Sequence, residues 1–174
     1  EKVTKDTIRD CVYARYGLSD LSYDESDAGR NTTYAFDRSG KIVGKYFKEH
    51  LTGGEVRRLR LDSDYTFEHS EPTVIEIEGI RFAFLTCYDV YFNEQIEHIA
   101  KGNADIILIP GYQRGERWDI IESQAKLTAF RCNSYVVRSS YSMDSDEKGG
   151  CSMIVAPDGS ILKDMGKSIG AVSA

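Results

Sequence analysis

A predicted β-hairpin whose second strand is wholly apolar is the feature that most constrains the fold of this chain. In residues 73–87, TVIEIEGIRFAFLTC, apolar and polar side chains alternate up to the turn at Glu78-Gly79, which is typical of a strand with one buried face. The return strand has no such alternation from Phe82 to Leu85. Continuous apolar character predicts burial on both faces. We therefore expect this strand inside the sheet of a layered α/β fold, with the alternating strand nearer the edge.

The rest of the chain predicts hairpins mixed with βα units. Short glycine-containing turns predict hairpins over 31–48 and around Pro157-Asp158-Gly159. Helix start and stop residues predict two helices, one capped by Asn93 and ending at Gly102, the other from about Glu116 to Arg131. Further strands are predicted at 104–109 and 135–137. The sequence has no internal repeat and only three prolines, so we expect one α/β (α+β) domain over residues 1–174.

Composition excludes several classes of protein. The 174 residues are 41% hydrophobic and 29% charged, with a net charge of −6, which is typical of a globular chain and argues against a nucleic-acid partner. The longest apolar run, residues 106–109, is far shorter than the roughly 20 residues that cross a bilayer. The four cysteines lie far apart without a CxxC pair. A cytoplasmic protein that binds no membrane is therefore expected.

Cys87 is the first candidate for chemistry because it ends the buried strand just before a predicted helix. A free thiol has a pKa of about 8.5, so attack at neutral pH requires a nearby cation, a base or a helix N-terminus. The alternative is that Cys87 is a small core residue, which is the common role of an unpaired cysteine in an apolar strand.

The residues around Cys87 resemble a known nucleophile motif. Residues 85–94, LTCYDVYFNE, resemble the nitrilase-superfamily pattern Cys-Tyr-Asp-x-Arg-Phe-Pro-Glu, from which Tyr91 and Asn93 depart. Upstream, GKIVGKYFKEHLTGGE resembles the lysine segment of the same family, and ADIILIPGY and GGCSMIVAPDGSIL resemble two later strands. Where the family usually has a Glu-Asn pair, this chain has Arg131-Cys132.

The resemblance implies a nitrilase-like four-layer αββα sandwich, here incomplete at both ends, and catalysis without a metal or cofactor. Cys87 would attack a small amide or N-carbamoyl substrate to form a thioester, which water then hydrolyses. Lys48 would stabilise the oxyanion, and Glu55 would be the second glutamate, positioning Lys48 or the substrate. Tyr88 and Tyr112 are the candidates for substrate binding, although Tyr112 has packing as an alternative role.

The resemblance also implies a general-base glutamate upstream of the lysine. The sequence before Lys48 leaves no room for it, so we expect this glutamate outside the present sequence, in a longer chain. The leading function is an amidase or N-carbamoyl hydrolase that forms a homodimer or larger oligomer; acyl transfer to another acceptor stays open. The alternative is a non-catalytic binding or assembly module that has lost the base.

Each remaining candidate has a structural alternative. Lys48 taken alone is typical of a solvated strand end, and Glu55, followed by Arg57-Arg58, fits a surface charge. Asp89 is expected to accept backbone N–H bonds and fix the turn. Structural roles are also expected of two histidines and two further cysteines: His50, His98, Cys132 and Cys151. No metal-ligand spacing is present.

Overall fold

The structure is a computed structural model that describes residues 12–15, 29–59, 61, 71–111, 113, 115–142 and 149–174. Two compact units divide the chain, residues 1–70 and 71–174. Each unit has a sheet of its own, and each is described by itself. The expectation of one domain over the whole chain stays a prediction.

The first unit contains an antiparallel sheet in the order β1-β2-β3 and a short helix. The elements are β1 Val12–Arg15, β2 Thr32–Phe36, β3 Ile42–Phe47 and helix α1 Gly53–Arg58. The hairpin predicted over 31–48 is confirmed, since β2 pairs with β3 in antiparallel register. Its turn depends on the Asp37 carboxylate, which accepts N–H bonds from Ser39 at 2.9 Å and Lys41 at 3.0 Å. Strand β1 was not predicted.

The second unit contains a six-stranded mixed sheet in the order β4-β5-β6-β7-β8-β9. The strands are β4 Val74–Ile77, β5 Ile80–Phe84, β6 Ile106–Gly111, β7 Tyr135–Ser140, β8 Met153–Val155 and β9 Ile161–Asp164. Strands β5, β6 and β7 run parallel, whereas the β4–β5, β7–β8 and β8–β9 pairs are antiparallel. As expected, the alternating strand β4 lies at the edge and the apolar strand β5 lies inside. The hairpin around residues 157–159 is also confirmed.

Two helices pack their apolar residues into the core of this unit. They are α2, Asn93–Ala100, and α3, Trp118–Cys132. The core joins Ile96 and Ile99 of α2 with Ile121 and Ala125 of α3 and with inward side chains of strands β5 to β8. Full burial of an isoleucine contributes about 1.5–3 kcal/mol, so these contacts hold both helices to the sheet. None of the described helices is long and apolar enough to cross a membrane.

The expected N-cap of α2 was wrong by one residue. Phe92 occupies the N-cap position without a side-chain cap bond, and Asn93 is already helical. The Asn93 side-chain oxygen instead accepts a hydrogen bond from Arg131 of α3 at 2.9 Å. A contact between helices, which sequence spacing does not reveal, has therefore displaced the local capping role.

Candidate active site

Cys87 lies beyond the carboxyl end of β5 in a left-handed backbone conformation. The Leu85 N–H extends the sheet by donating to the Leu108 carbonyl at 3.0 Å, and Cys87, at φ 52°, then begins a 3₁₀ turn over Cys87–Tyr91. A left-handed residue other than glycine costs about 1–2 kcal/mol. Its thiol is partly exposed and free. Cys87 is therefore partly exposed beyond the carboxyl end of β5, unlike a small core residue, which would be buried within the strand.

Asp89 fixes the turn that carries the thiol. Its side chain is fully buried, and its carboxylate accepts the Thr86 N–H at 2.8 Å, while its own N–H donates to the Thr86 carbonyl at 3.1 Å. This confirms the structural role expected of Asp89. The first N–H groups of a helical turn have no acceptor within the turn. The N–H groups of Cys87 and Tyr88 occupy those positions.

Gly111, the last residue of β6, lies against the backbone of Cys87. A methyl group placed on its Cα would lie 3.0 Å from the Cys87 Cα and 3.3 Å from the Cys87 nitrogen. Such distances are closer than ordinary carbon contacts. The absence of a side chain at Gly111 therefore lets β6 approach the turn at Cys87 this closely.

The structure describes only one of the two tyrosines that are expected to bind substrate. Tyr88 is half-buried, and its ring packs on Tyr91 and Phe92 with centroids 5.3 Å and 5.1 Å apart. Tyr112 lies outside the described residues. Substrate binding by either side chain stays a prediction.

Lys48 in the first unit is buried and paired with Glu55. It follows β3, only 3% of it is exposed, and its N–H donates to the Asn31 carbonyl at 2.8 Å. Its ammonium nitrogen lies 2.8 Å from Oε1 and 2.7 Å from Oε2 of Glu55. The alternative of a solvated strand-end lysine is therefore wrong.

Glu55 accepts hydrogen bonds from three residues. Besides Lys48, its carboxylate accepts the Asn31 side-chain amide at 2.7 Å and the N–H and hydroxyl of Thr52 at 2.8 and 2.9 Å. Burial of this 7% exposed residue raises its pKa, but the bonds from Lys48, Thr52 and Asn31 outweigh burial, so the net pKa is lowered. Glu55 is an ionised acceptor that orients Lys48, and the surface-charge alternative is wrong. No pattern in the sequence indicated that Asn31 would bind this carboxylate.

The sequence model of one family fits nearly the whole chain. The model for carbon-nitrogen hydrolases matches residues 12–172. This chain belongs to the carbon-nitrogen hydrolase family. A 2-oxoglutaramate amidase from Bacillus subtilis strain 168 is 30% identical over 154 residues, which cover 83% of this chain and 54% of the relative. The chain spans about half the length of the curated relatives it matches.

Solved structures of nitrilase-superfamily proteins share this fold. A mutant of the amidase from Nesterenkonia sp. AN1, with the acetamide moiety of fluoroacetamide covalently added at its active-site cysteine, matches with a TM-score of 0.68 and 22% identity over 80% of this chain and 52% of the amidase. Nit3 of Saccharomyces cerevisiae matches with a TM-score of 0.62 and 23% identity over 79% of this chain and 49% of Nit3. The expected nitrilase-like α/β fold is confirmed; incompleteness at both ends stays a prediction.

Residues that depart from the nitrilase pattern make contacts with one another and with neighbouring helices. Arg131 donates to Asn93 at 2.9 Å and to Glu97 at 2.8 Å, so two departures form a bond that links α3 to α2. The Tyr91 hydroxyl donates a hydrogen bond to the Glu116 carboxylate at 2.6 Å and accepts one from the Gln113 side-chain amide at 3.3 Å. The residues that depart from the nitrilase pattern therefore form hydrogen bonds that link neighbouring elements of this chain.

Two other thiols in the described part of the chain differ from Cys87. Cys132 and Cys151 are buried, and burial raises the pKa of each to about 11. Both therefore stay protonated and unreactive at neutral pH, in line with the expected core roles. His50 and His98 are buried as well, and burial together with the charge of Lys101 lowers the pKa of His98.

Proposed function

We propose that this chain carries the nucleophile and the oxyanion lysine of a carbon-nitrogen hydrolase that cleaves a small amide or N-carbamoyl substrate. The observation that carries the proposal is the position of Cys87, a partly exposed free thiol beyond the carboxyl end of β5 whose turn is fixed by buried Asp89. Family membership and the similarity to amidases support it. So does the mutant Nesterenkonia amidase, in which the acetamide moiety of fluoroacetamide is covalently added at the active-site cysteine.

The reaction begins with attack of the Cys87 sulfur on the carbonyl carbon. The carbon–sulfur bond forms, and the carbonyl electrons move to oxygen to give a tetrahedral oxyanion. Collapse of this adduct expels the amine or ammonia, which takes up the proton that the thiol released, and leaves a thioester. Water then attacks the thioester and releases the acid and the free thiol.

Lys48 and the Tyr88 N–H are proposed to stabilise the oxyanion. A lysine ammonium has three N–H donors, and both carboxylate oxygens of Glu55 lie within hydrogen-bond distance of its nitrogen. Two bonds to Glu55 leave one donor for a substrate oxygen. Removing one such donor typically lowers kcat by about 10²–10³-fold.

Proton transfer requires a carboxylate other than Glu55. Glu55 has a lowered pKa and is surrounded by donors, whereas a general base that passes protons at neutral pH needs a raised one. We propose a second glutamate as that base. The expectation that it lies outside the present sequence stays a prediction.

Two further properties belong to the proposal. The free thiols of Cys132 and Cys151 fit a reducing compartment such as the cytoplasm. Self-association into a homodimer or larger oligomer is proposed from the nitrilase resemblance.

Replacement of the nucleophile in the full-length protein tests the function. We expect Cys87→Ala to lower ammonia release from acetamide, butyramide and succinamate by about 10⁴-fold or more, with unchanged thermal unfolding. Cys132→Ala is the matched control, because it removes a buried thiol without touching the turn, and it should retain turnover. Equal turnover by Cys87→Ala and the wild type would reject the mechanism. Binding of an amide by a wild-type protein that releases no ammonia would favour the non-catalytic module.

A further inference from the structure

Asn31, which lies just before β2, contacts both the backbone of Lys48 and the side chain of Glu55. Its carbonyl accepts the Lys48 N–H at 2.8 Å, one step beyond the Thr32–Phe47 pair of the β2–β3 ladder. Its side-chain amide donates to Glu55 Oε1 at 2.7 Å. Only 4% of the residue is exposed. One buried residue therefore connects the backbone of the lysine to the carboxylate that binds its ammonium group.

The atom of Asn31 that faces Glu55 is its amide nitrogen. Burial raises the pKa of Glu55, but the hydrogen bonds from its neighbours outweigh burial and keep the carboxylate ionised. An ionised carboxylate accepts hydrogen bonds and cannot donate them, so the group opposite it must be the NH₂ and not the carbonyl oxygen. An ionised aspartate in place of Asn31 could not make this bond.

The two carboxylate oxygens of Glu55 are held by different parts of the first unit. Oε2 accepts the N–H and the hydroxyl of Thr52 at 2.8 and 2.9 Å, within the capping box that begins α1. Among the described residues, the donors to Oε1 are Lys48 and Asn31. The last torsion of a glutamate side chain has no sharp rotamer preference. Contacts at both oxygens are therefore needed to fix the carboxylate plane, and Asn31 supplies the contact at Oε1 that comes from outside the ion pair.

The orientation of that plane determines where the third ammonium N–H of Lys48 points. The ammonium nitrogen lies 2.8 and 2.7 Å from the two carboxylate oxygens, at the end of a flexible four-carbon stem. We propose that Asn31 is a positioning residue, which acts through Glu55 to direct the remaining N–H of Lys48 at the substrate oxyanion. This inference rests on the proposed function, since it assumes that Lys48 stabilises the oxyanion.

A double-mutant cycle on the full-length protein tests whether Asn31 acts through Glu55. We expect Asn31→Ala to lower kcat for butyramide by about 10-fold, as for the loss of a hydrogen bond to a charged group. KM should stay nearly unchanged, because the oxyanion develops only as the reaction proceeds. In a Glu55→Gln background the same substitution should change kcat by less than about 2-fold, because no anion is left for Asn31 to orient.

Asn31→Asp keeps the size of the side chain and gives a second measurement, based on pH. Two carboxylates that face each other bind one proton more tightly than either would alone, and Lys48 is the charged group that already acts on Glu55. Once that proton is bound, the carboxyl O–H can donate as the amide did. We therefore expect kcat of Asn31→Asp, relative to the wild type, to rise by about 10-fold from pH 8 to pH 5, and that of Asn31→Ala to stay constant.

Asn103→Asp is the matched control for the added charge. Asn103 is exposed, and its side-chain amide donates to the Lys101 carbonyl at 3.4 Å. Its kcat relative to the wild type should stay close to one at every pH. Thermal unfolding of each variant separates a kinetic loss from a loss of folded protein.

Two results would overturn the positioning role. One is a pair of losses, from Asn31→Ala and Glu55→Gln, that multiply in the double variant. The other is a relative kcat of folded Asn31→Asp that does not rise on acidification, and it decides the question if Asn31→Ala does not fold. A wild type that releases no ammonia overturns the proposed function and this inference with it, whereas either result above in an active enzyme overturns this inference alone.

Discussion

The Lys48–Glu55 pair shows how the surroundings of a residue decide its role. In the sequence, Lys48 resembles an ordinary strand-end lysine and Glu55 a surface charge. In the structure both are buried, and Asn31 and Thr52 provide further donors to the carboxylate. Removal of one member of a buried ion pair leaves the other charge without compensation, which typically costs about 3–5 kcal/mol. Orientation of the lysine and stability of the first unit therefore depend on the same carboxylate.

Glu55→Gln should lower both activity and stability. We expect kcat to fall by about 10²-fold or more, because Lys48 loses its orienting anion. The free energy of unfolding at neutral pH, measured by urea denaturation, should fall by about 3 kcal/mol. Glu97→Gln is the control, since its ion pair with Arg131 involves a carboxylate side chain that is 66% exposed and contributes about 1 kcal/mol or less. Equal losses in the two variants would contradict the role given to Glu55.

The pH dependence of this loss has a definite sign. The pKa of Glu55 is lowered in the folded protein from an ordinary value of 4.5, so its stabilising contribution is fully present above about pH 4.5 and is lost as the pH falls through the folded-state value. The stability difference between the wild type and Glu55→Gln should therefore shrink below about pH 4.5. A difference that stays constant down to about pH 3 would exclude this linkage.

At the level of elements, the β5–turn–β6 arrangement determines where the Cys87 sulfur lies. Buried Asp89 holds the turn from within, and Gly111 of the neighbouring strand holds it from the side. The position of the sulfur therefore depends on a glycine 24 residues further along the chain.

Gly111→Ala should displace the turn at Cys87. A methyl group would lie 3.0 Å from the Cys87 Cα, so the backbone must shift by a few tenths of an ångström, and we expect kcat to fall by about 10-fold, less than the 10²-fold of a displacement of about 1 Å. Gly115→Ala is the matched control, because a methyl group there meets nothing within 4 Å, and it should leave kcat unchanged. Steady-state kinetics of the two variants, with thermal unfolding as the folding check, make the comparison. Full activity in Gly111→Ala would show that the turn tolerates the displacement.

The elements that sequence predicts well are those fixed by local chemistry. Glycine and aspartate turns revealed the hairpins, and unbroken apolar character revealed the interior strand β5. The cap of α2 was wrong because Asn93 binds Arg131 of α3, a contact that depends on helix packing. The contacts of buried Arg138 were missed for the same reason: it follows the strand predicted at 135–137, and its acceptors come from residues 113, 150 and 151. Polar contacts between residues that are far apart in the chain leave no recognisable pattern in the local sequence.

At the scale of the whole molecule, the chain spans about half the length of its curated relatives. Cys87 and the Lys48–Glu55 pair lie in different compact units. Every kinetic comparison above is therefore made on the full-length protein.

Detection of the thioester in that protein tests the central claim most directly. Full-length enzyme is mixed briefly with butyramide, quenched in acid, digested with trypsin and analysed by mass spectrometry. We predict a butyryl group on Cys87, within the peptide of residues 82–101, and none in the Cys87→Ala variant. Butyramide turnover with no acyl group on Cys87, or with the acyl group on another residue, would contradict the account.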